Sequence, residues 1–192
     1  MGRPKSYERD TVTAAAMELF WQRGYHDVST RELVQAMGIN MNTLYTEFGT
    51  KAGLFSAALE YYEQHMVPSY IGALEQPDAS IDTIRDVLDS FPAFADSDEF
   101  LPGCLITNTA TELAPTPAAS QDSMARYIDR LGNAFTNALQ NSAPESTDVT
   151  AMARSLTTTM LGMFVMIRAQ TDRRLLQDTV EAALEHIERD LA

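Results

Sequence analysis

The side chains best suited to binding nucleic acid are concentrated in residues 37–48. Asparagine, threonine and tyrosine bond phosphate oxygens and base edges without a large desolvation cost. Leu44 and Phe48 are four residues apart and predict the core-facing side of a helix. The polar groups fall on the other side of that helix: Asn42, Thr43, Tyr45 and Thr46. The stretch therefore predicts a short helix that packs with one face and binds DNA with the other.

The residues before this helix predict a sharp turn that follows another short helix. Leu33, Val34 and Met37 form an apolar stripe on that first helix. Gly38 tolerates the left-handed backbone that ends a helix. Asn40 is a favourable N-cap because its side-chain oxygen accepts a hydrogen bond from a free amide. Two helices joined in this way are typical of the helix-turn-helix, whose second helix lies in the DNA major groove.

Patterns typical of catalysis or metal binding are missing from the sequence. His26, His65 and His186 are scattered and lack metal-ligand spacing. The sequence has no nucleophile-elbow, phosphate-loop or dinucleotide-binding motif, and its acidic residues fall on solvent-facing helix positions. We therefore expect neither an enzyme nor a bound metal or cofactor.

The net negative charge of the chain is unequally distributed along the sequence. Residues 1–55 carry six basic and six acidic side chains, whereas residues 56–192 carry eight and 21 and account for the whole net charge of −13. An acidic body weakens non-specific attraction to phosphate, so local contacts must supply DNA specificity. We divide the chain at this point, into a DNA-binding domain (residues 1–55) and a second domain (residues 56–192).

Capping signals predict the other helices of the first domain. An apolar stripe runs from about Arg9 to Arg23, and Ser29 with Glu32 forms a capping box that opens a helix at about Thr30. Thr50 is the N-cap of a further helix, with Lys51 beside its free amides. This last helix continues to about residue 68 and links the two domains.

The N-terminal segment contains two basic residues next to glycine and proline. Arg3 and Lys5 predict an extended arm that lies along phosphates or enters a minor groove. A frayed, solvated tail is an equally good interpretation.

The order of residues 8–56 resembles the signature of the TetR/AcrR family of transcriptional regulators. The matching positions are Gly24, Tyr25, Ser29, Leu33, Gly38, Ile39, Thr43, Leu44, Tyr45, Phe48, Lys51, Leu54 and Phe55. This resemblance implies that Ser29, Thr43, Tyr45 and Lys51 contact the DNA backbone. It also implies an all-α dimeric repressor of a palindromic operator, with a C-terminal domain for effector binding and dimerisation.

Departures from the family pattern lie on the DNA-facing surface. The family usually has a basic residue near Met41, a small residue or proline at Asn42, and often histidine or arginine at Thr46. These differences concern the operator sequence and leave DNA binding itself intact. Packing between helices is the alternative role for Tyr45. The candidate DNA-binding residues are Arg3, Lys5, Ser29, Thr30, Arg31, Asn40, Met41, Asn42, Thr43, Tyr45, Thr46 and Lys51.

The second domain is predicted to be helical throughout, giving about nine helices in the chain. Apolar residues occupy nearly every face of residues 149–169, whereas residues 173–191 carry a narrow apolar stripe. A helix that is apolar all round needs a core on one side and another chain on the other. In the family the last two helices form a four-helix dimer bundle; the alternative is a monomer with a central helix. The candidate interface residues are Met160, Phe164, Ile167, Leu176, Val180, Leu184 and Ile187.

Large, adaptable side chains in the second domain fit either a small-molecule pocket or an ordinary core. Only the family resemblance favours the pocket, and a DNA-binding regulator without a small-molecule input is the alternative. The candidate effector residues are Tyr62, Met66, Tyr70, Phe91, Phe94, Cys104, Asn108, Tyr127, Met163 and Phe164.

Cys104 is the single cysteine of the chain. A single cysteine cannot form a disulfide within the chain, and this is consistent with a reducing cytoplasm. Residues 103–105 resemble a segment of some TetR-family members in which the cysteine senses oxidants or electrophiles, and the first turn of a helix favours a thiolate. The alternative is an inert, buried cysteine. No apolar run reaches the roughly 18–20 residues of a membrane span, so we expect no membrane partner.

Overall fold

Helices form the regular structure of the whole described part of the chain. The computed structural model describes residues 7–96, 102–112, 118–145 and 147–191, without the side chains of residues 118–121. Within these ranges the chain has no strand and is all-α, as predicted. The helices are α1 (Arg9–Arg23), α2 (Thr30–Met37), α3 (Met41–Phe48), α4 (Lys51–His65), α5 (Val67–Ile71), α6 (Ile81–Phe94), α7 (Leu105–Glu112), α8 (Ala118–Gln140), α9 (Thr150–Arg168) and α10 (Arg173–Leu191).

The first three helices form a compact head with ends close to the predicted ones. Gly24 ends α1 with φ of 83°, and α2 begins at Thr30. The sequence predicted that α3 would end at Thr46, and the helix runs two residues further, to Phe48. Phe20, Leu33 and Leu44 are fully buried in the core of the head, as is Leu54 from the start of α4.

The expected long helix after Lys51 is divided into two. α4 ends at His65, and the short α5 follows after Met66. Pro68 lies in the first turn of α5, where the missing amide hydrogen costs no helical bond. Proline therefore starts a helix at this point, whereas the sequence predicted that it would end one.

The remaining helices, α5–α10, pack as a body behind the head. α9 packs against α6, α7, α8 and α10, which explains why its apolar residues occur on several faces. α10 packs along α6 and α9. An ion pair between Arg85 of α6 and Glu188 of α10 joins two of these helices at the surface.

Head and body share one continuous core. The ring of Trp21 in α1 lies edge-to-face with that of Tyr62 in α4, with 5.2 Å between centroids. α4 packs against both α1 and α8. The division between residues 55 and 56 therefore falls within a helix that belongs to both regions.

One described helix, α9, is long and apolar enough to cross a membrane by length and composition alone. Core helices pass the same test, and α9 buries eight side chains among the other helices of the body.

Candidate DNA-binding surface

The recognition helix α3 is anchored from one side only. Leu44 is fully buried and Phe48 is 8% exposed. Asn40 caps the helix by accepting a 2.9 Å hydrogen bond from the Thr43 amide. The opposite face carries exposed polar groups, and Tyr45 is 49% exposed, which excludes the alternative that it packs between helices. Asn42 and Thr46 are also exposed, and Thr43 is half-buried, so the structure presents the predicted DNA-facing residues together.

The start of α2 is held by the predicted capping box. The Ser29 hydroxyl accepts a hydrogen bond from the Glu32 amide and donates one to the Glu32 carboxylate, at 2.6 Å. Arg23 forms an ion pair with the same carboxylate at 2.7 Å. These contacts, led by the Ser29 hydroxyl, lower the pKa of Glu32 from 4.5 to about 2. Because a hydroxyl has one hydrogen to donate, Ser29 must exchange its partner to bind a phosphate. Arg31 is exposed beside this capping box.

Lys51 lies at the start of α4, facing the loop between α1 and α2. Its Nζ donates a 2.5 Å hydrogen bond to the Tyr25 carbonyl oxygen and lies 4.4 Å from the centre of the Tyr25 ring. Burial lowers the pKa of Lys51. An ammonium group has three hydrogens, so a phosphate can still bind while Tyr25 keeps one.

Two further candidate DNA-binding residues lie at helix starts, and two lie in the N-terminal segment. Met41 is 37% exposed at the start of α3, and Thr30 is half-buried at the start of α2. Arg3 and Lys5 lie outside the described residues.

In the body, most of the candidate effector residues meet in one buried aromatic cluster. Phe164 of α9 contacts both Tyr70 and Phe91, with ring centroids 5.2 and 5.0 Å apart. The Tyr70 and Tyr127 hydroxyls are 3.1 Å apart, and the Cys104 sulfur lies 4.0 Å from the Tyr70 hydroxyl. The half-buried Phe94 contacts Phe91, with ring centroids 5.1 Å apart. Met163 is buried and Met66 is half-buried in the same core.

Two features of the cluster bear on ligand chemistry. Burial raises the pKa values of Tyr62, Tyr70 and Tyr127 well above 10, so all three are neutral hydroxyl donors. The buried Tyr62 hydroxyl makes no well-aligned hydrogen bond within the described residues, although Cys104, Tyr70 and Leu105 surround it. Asn108, in contrast, is already bound, since its side-chain amide donates to the Pro102 carbonyl at 2.7 Å.

The dimer-interface residues expected from the sequence require correction. Six of the seven are 2% exposed or less within a single protomer, because α9 and α10 pack them against α6, α7 and α8. Side chains without free surface cannot contact a partner. These six are Met160, Phe164, Ile167, Leu176, Val180 and Ile187; Leu184 is half-buried.

A different face of α9 and α10 is open to a partner. Each helix has four residues at spacings of four, three and four that are exposed or half-buried, and Met166 and Leu175 are 39% and 46% exposed. None carries an acidic or permanently charged group, although the body is strongly acidic. We call this surface the α9–α10 stripe: Ser155, Thr159, Gly162 and Met166 with Leu175, Thr179, Ala182 and His186.

Sequence reasoning also missed one contact between head and body. The Glu112 carboxylate accepts hydrogen bonds from the amides of Tyr25 and His26, at 3.1 and 2.8 Å. The partners are 86 and 87 residues apart, and no local pattern marks Glu112 among the other acids of the chain.

The fold and this surface define a helix-turn-helix regulator. A family model described as bacterial regulatory proteins, tetR family, matches residues 12–58. A second model, the C-terminal domain of LmrA/YxaF-like transcriptional regulators, matches residues 80–182. The chain therefore belongs to the TetR family, as the sequence resemblance predicted. Since this is a family of transcriptional regulators, the protein is a regulator and not an enzyme.

Individual relatives match over most of their length. The chain is 30% identical over 194 residues to the uncharacterised regulator YezE of Bacillus subtilis, covering 96% of this chain and 98% of that protein. It is 33% identical to the transcriptional repressor ComR of Escherichia coli, covering 87% and 82%. Among solved structures, a triple cysteine mutant of the TetR-family regulator CifR, in complex with 26-bp operator DNA, superposes with a TM-score of 0.82 at 29% identity, covering 96% and 98%.

Proposed function

We propose that the protein is a homodimeric cytoplasmic repressor that leaves its operator when a small molecule binds in the body. One observation supports this above the others: α3 is anchored by Leu44 and Phe48 and presents an uncharged polar face to solvent. Relatives of the chain include a transcriptional repressor and a regulator bound to operator DNA.

Dimerisation through the α9–α10 stripe determines the form of the operator. A two-fold dimer presents its recognition helices to two half-sites about one helical turn, roughly 34 Å, apart or slightly more. The operator is therefore an inverted repeat on one face of the duplex. Met166 and Leu175 supply apolar surface at this interface, and the small residues Gly162 and Ala182 of the stripe allow close helix approach.

Charge distribution favours specific over general DNA binding. The body carries the whole net charge of −13, which repels phosphate, while the head is neutral. Binding consequently depends on contacts from α3 and from the starts of α2 and α4. Asn42 and Thr46 are the exposed α3 residues placed to contact base edges, and Lys51 contacts the DNA backbone.

Effector control would operate by population shift. The operator favours one separation of the two heads, and an effector among α4–α9 favours another, so each ligand weakens the binding of the other. The Tyr62 hydroxyl, which makes no well-aligned hydrogen bond within the described residues, supports a ligand with a hydrogen-bond acceptor, and the aromatic rings support a largely apolar ligand. Tyr70 and Tyr127 hydrogen-bond each other, so one phenolic hydrogen of the pair remains to donate to an acceptor on the ligand.

Covalent control through Cys104 is a second candidate, supported by the position of its sulfur beside the Tyr70 hydroxyl. An alkylating reagent would add bulk to a side chain that is fully buried, and the helices around it would have to move. The test is treatment of the dimer with N-ethylmaleimide, with operator release measured for wild type and Cys104→Ser. Release of wild type alone supports this route; equal release, or none, leaves non-covalent binding as the remaining mode.

The experiment for the main proposal is selection of genomic DNA fragments by the pure full-length protein, followed by footprinting. We expect an inverted repeat with half-sites protected on one face of the duplex. The DNA flanking the site identifies the regulated genes. An asymmetric site bound by a monomer would contradict the proposal.

A further inference from the structure

Helix α7 contacts the head at both of its ends. Before its first residue, the Gly103 carbonyl accepts a 2.8 Å hydrogen bond from Trp21 Nε1. At its last residue, Glu112 accepts the amide hydrogens of Tyr25 and His26. Eight residues at about 1.5 Å each make α7 roughly 12 Å long. Both contacts fall on the last turn of α1 and the loop after it, so α7 holds one continuous segment of the head.

The approach of Glu112 to this segment is unusually close. A Cβ atom added at Gly24 would lie 2.5 Å from the nearer Glu112 carboxylate oxygen. Gly24 also has φ of 83°, in the region that favours glycine. Any side chain at position 24 would therefore displace the carboxylate as well as strain the backbone.

The peptide groups of Tyr25 connect Glu112 to the DNA-binding surface. The Tyr25 amide donates to Glu112, and the Tyr25 carbonyl accepts from Lys51 at 2.5 Å. Glu112 also favours the charged form of Lys51, which opposes the lowering of its pKa by burial. A displacement of Glu112 would therefore be transmitted through a single residue to a lysine at the start of α4.

The other end of α7 reaches the aromatic cluster. Cys104 directly precedes α7 and lies against Tyr70, and residues 105–109 are buried in the body. Charge-assisted hydrogen bonds are short and directional, so a shift of α7 by about an ångström would break the pair at Glu112. α7 therefore connects the body core to the head, as α4 does.

We propose that Glu112 is a positioning residue through which the body sets the DNA-binding conformation of the head. Its carboxylate fixes the Tyr25 peptide and, through it, Lys51 and the loop that leads into α2. This inference rests on DNA binding by the head, and it names the contact that regulates that binding. When the hydrogen bonds to Glu112 are broken, the loop must be ordered again each time DNA binds, so operator affinity falls.

The first test compares Glu112→Ala with Asp27→Asn in the full-length dimer, using the operator fragment selected by wild type. Both variants remove one negative charge near the same loop, but only Glu112, of these two carboxylates, accepts hydrogen bonds from the backbone of that loop in the described part of the chain. We expect Glu112→Ala to weaken operator binding about tenfold and Asp27→Asn to leave it unchanged or strengthen it. Wild-type or tighter binding by Glu112→Ala overturns the proposal.

A double-mutant cycle with Lys51→Met tests whether Glu112 acts through Lys51. We expect the effects of Glu112→Ala and Lys51→Met on operator affinity to be non-additive by more than about threefold. Glu145→Gln, a charge change on the exposed loop between α8 and α9, should be additive with Lys51→Met. Additivity of both pairs overturns the assigned route.

Hydrogen exchange on the DNA-free dimer separates this proposal from the DNA-binding function. In Glu112→Ala the amides of Tyr25 and His26 should exchange faster, while those around Leu131 in α8 keep their protection. If exchange increases throughout the protein, Glu112→Gln is used in place of Glu112→Ala, because glutamine keeps the size of glutamate and one acceptor oxygen. Unchanged exchange at Tyr25 and His26 in the folded variant overturns the proposal, whereas failure of wild type to select any DNA contradicts the function instead.

Discussion

Head and body differ in how their structures relate to the sequence. In the head, Ser29, Asn40 and Thr50 cap their helices with the bonds that the sequence predicted. In the body, the apolar residues of α9 and α10 are buried as predicted, but against other helices of the same protomer. Apolar periodicity predicts that a face is buried and does not identify the partner that buries it. A capping signal, in contrast, does identify its partner, because the donor and the acceptor lie within one turn of the same helix.

The largest expected effect tests whether the buried apolar residues of α9 and α10 stabilise the protomer or the dimer. Met160→Glu places a charge at a site with no exposure and should destabilise the protomer by about 4 kcal/mol or more, enough to unfold it or melt it far earlier. Met166→Glu, on the α9–α10 stripe, should leave the protomer folded but monomeric, with operator binding lost.

Thermal melting and sedimentation equilibrium distinguish these two outcomes. A stable dimer of Met166→Glu would mean that the α9–α10 stripe is not the interface. Dissociation by Met160→Glu without loss of stability would place the interface at the residues that the sequence predicted.

A smaller effect is expected when single contacts in the head are removed. Lys51→Met should weaken binding to all DNA sequences by a similar factor, and it should reduce the slope of log affinity against log salt concentration by about one. Asn42→Ala should change which bases are preferred, with little change in the salt dependence. Binding to a library of operator variants at several salt concentrations measures both. A change in base preference with Lys51→Met alone would reverse these roles.

The cap of the recognition helix gives a moderate effect on stability. Asn40→Ala removes the acceptor of the Thr43 amide and should cost about 1 kcal/mol. Thr50→Ala, which removes the cap of α4, is the matched variant and should cost a similar amount. Denaturant unfolding measures both. A cost near zero for both would mean that packing alone determines these helix ends.

The smallest effect concerns acid stability of the head. The folded state lowers the pKa of Glu32 to about 2 from 4.5, so its carboxylate stabilises the fold above pH 4.5 and loses this contribution as the pH falls towards 2. The melting temperatures of wild type and Glu32→Gln should therefore differ most near neutral pH and converge near pH 2. A constant difference across this range would show that Glu32 acts without its charge.

The sequence was sufficient for the family, the all-α class and the polar face of α3, since each depends on residues close together along the chain. It was insufficient where contacts join distant residues. Nothing local distinguishes Glu112 from other surface acids, and its partners are more than 80 residues away. The break before α5 was missed for a different reason. Pro68 is compatible with either end of a helix, and packing of Val67 and Ile71 in the core decides between them.

The hydrogen bond between Trp21 and Gly103 places an intrinsic fluorescence probe at the junction between head and body. Trp21 is the sole tryptophan of the chain, is 2% exposed, and bonds the body from the last turn of α1. Indole emission depends on the polarity and hydrogen bonding around the ring, so the tryptophan fluorescence of the protein reports on the junction between head and body. Neither α3 nor the α9–α10 stripe contributes an indole. A rearrangement of that junction on binding DNA or a small molecule can therefore be followed by stopped-flow fluorescence without any attached dye.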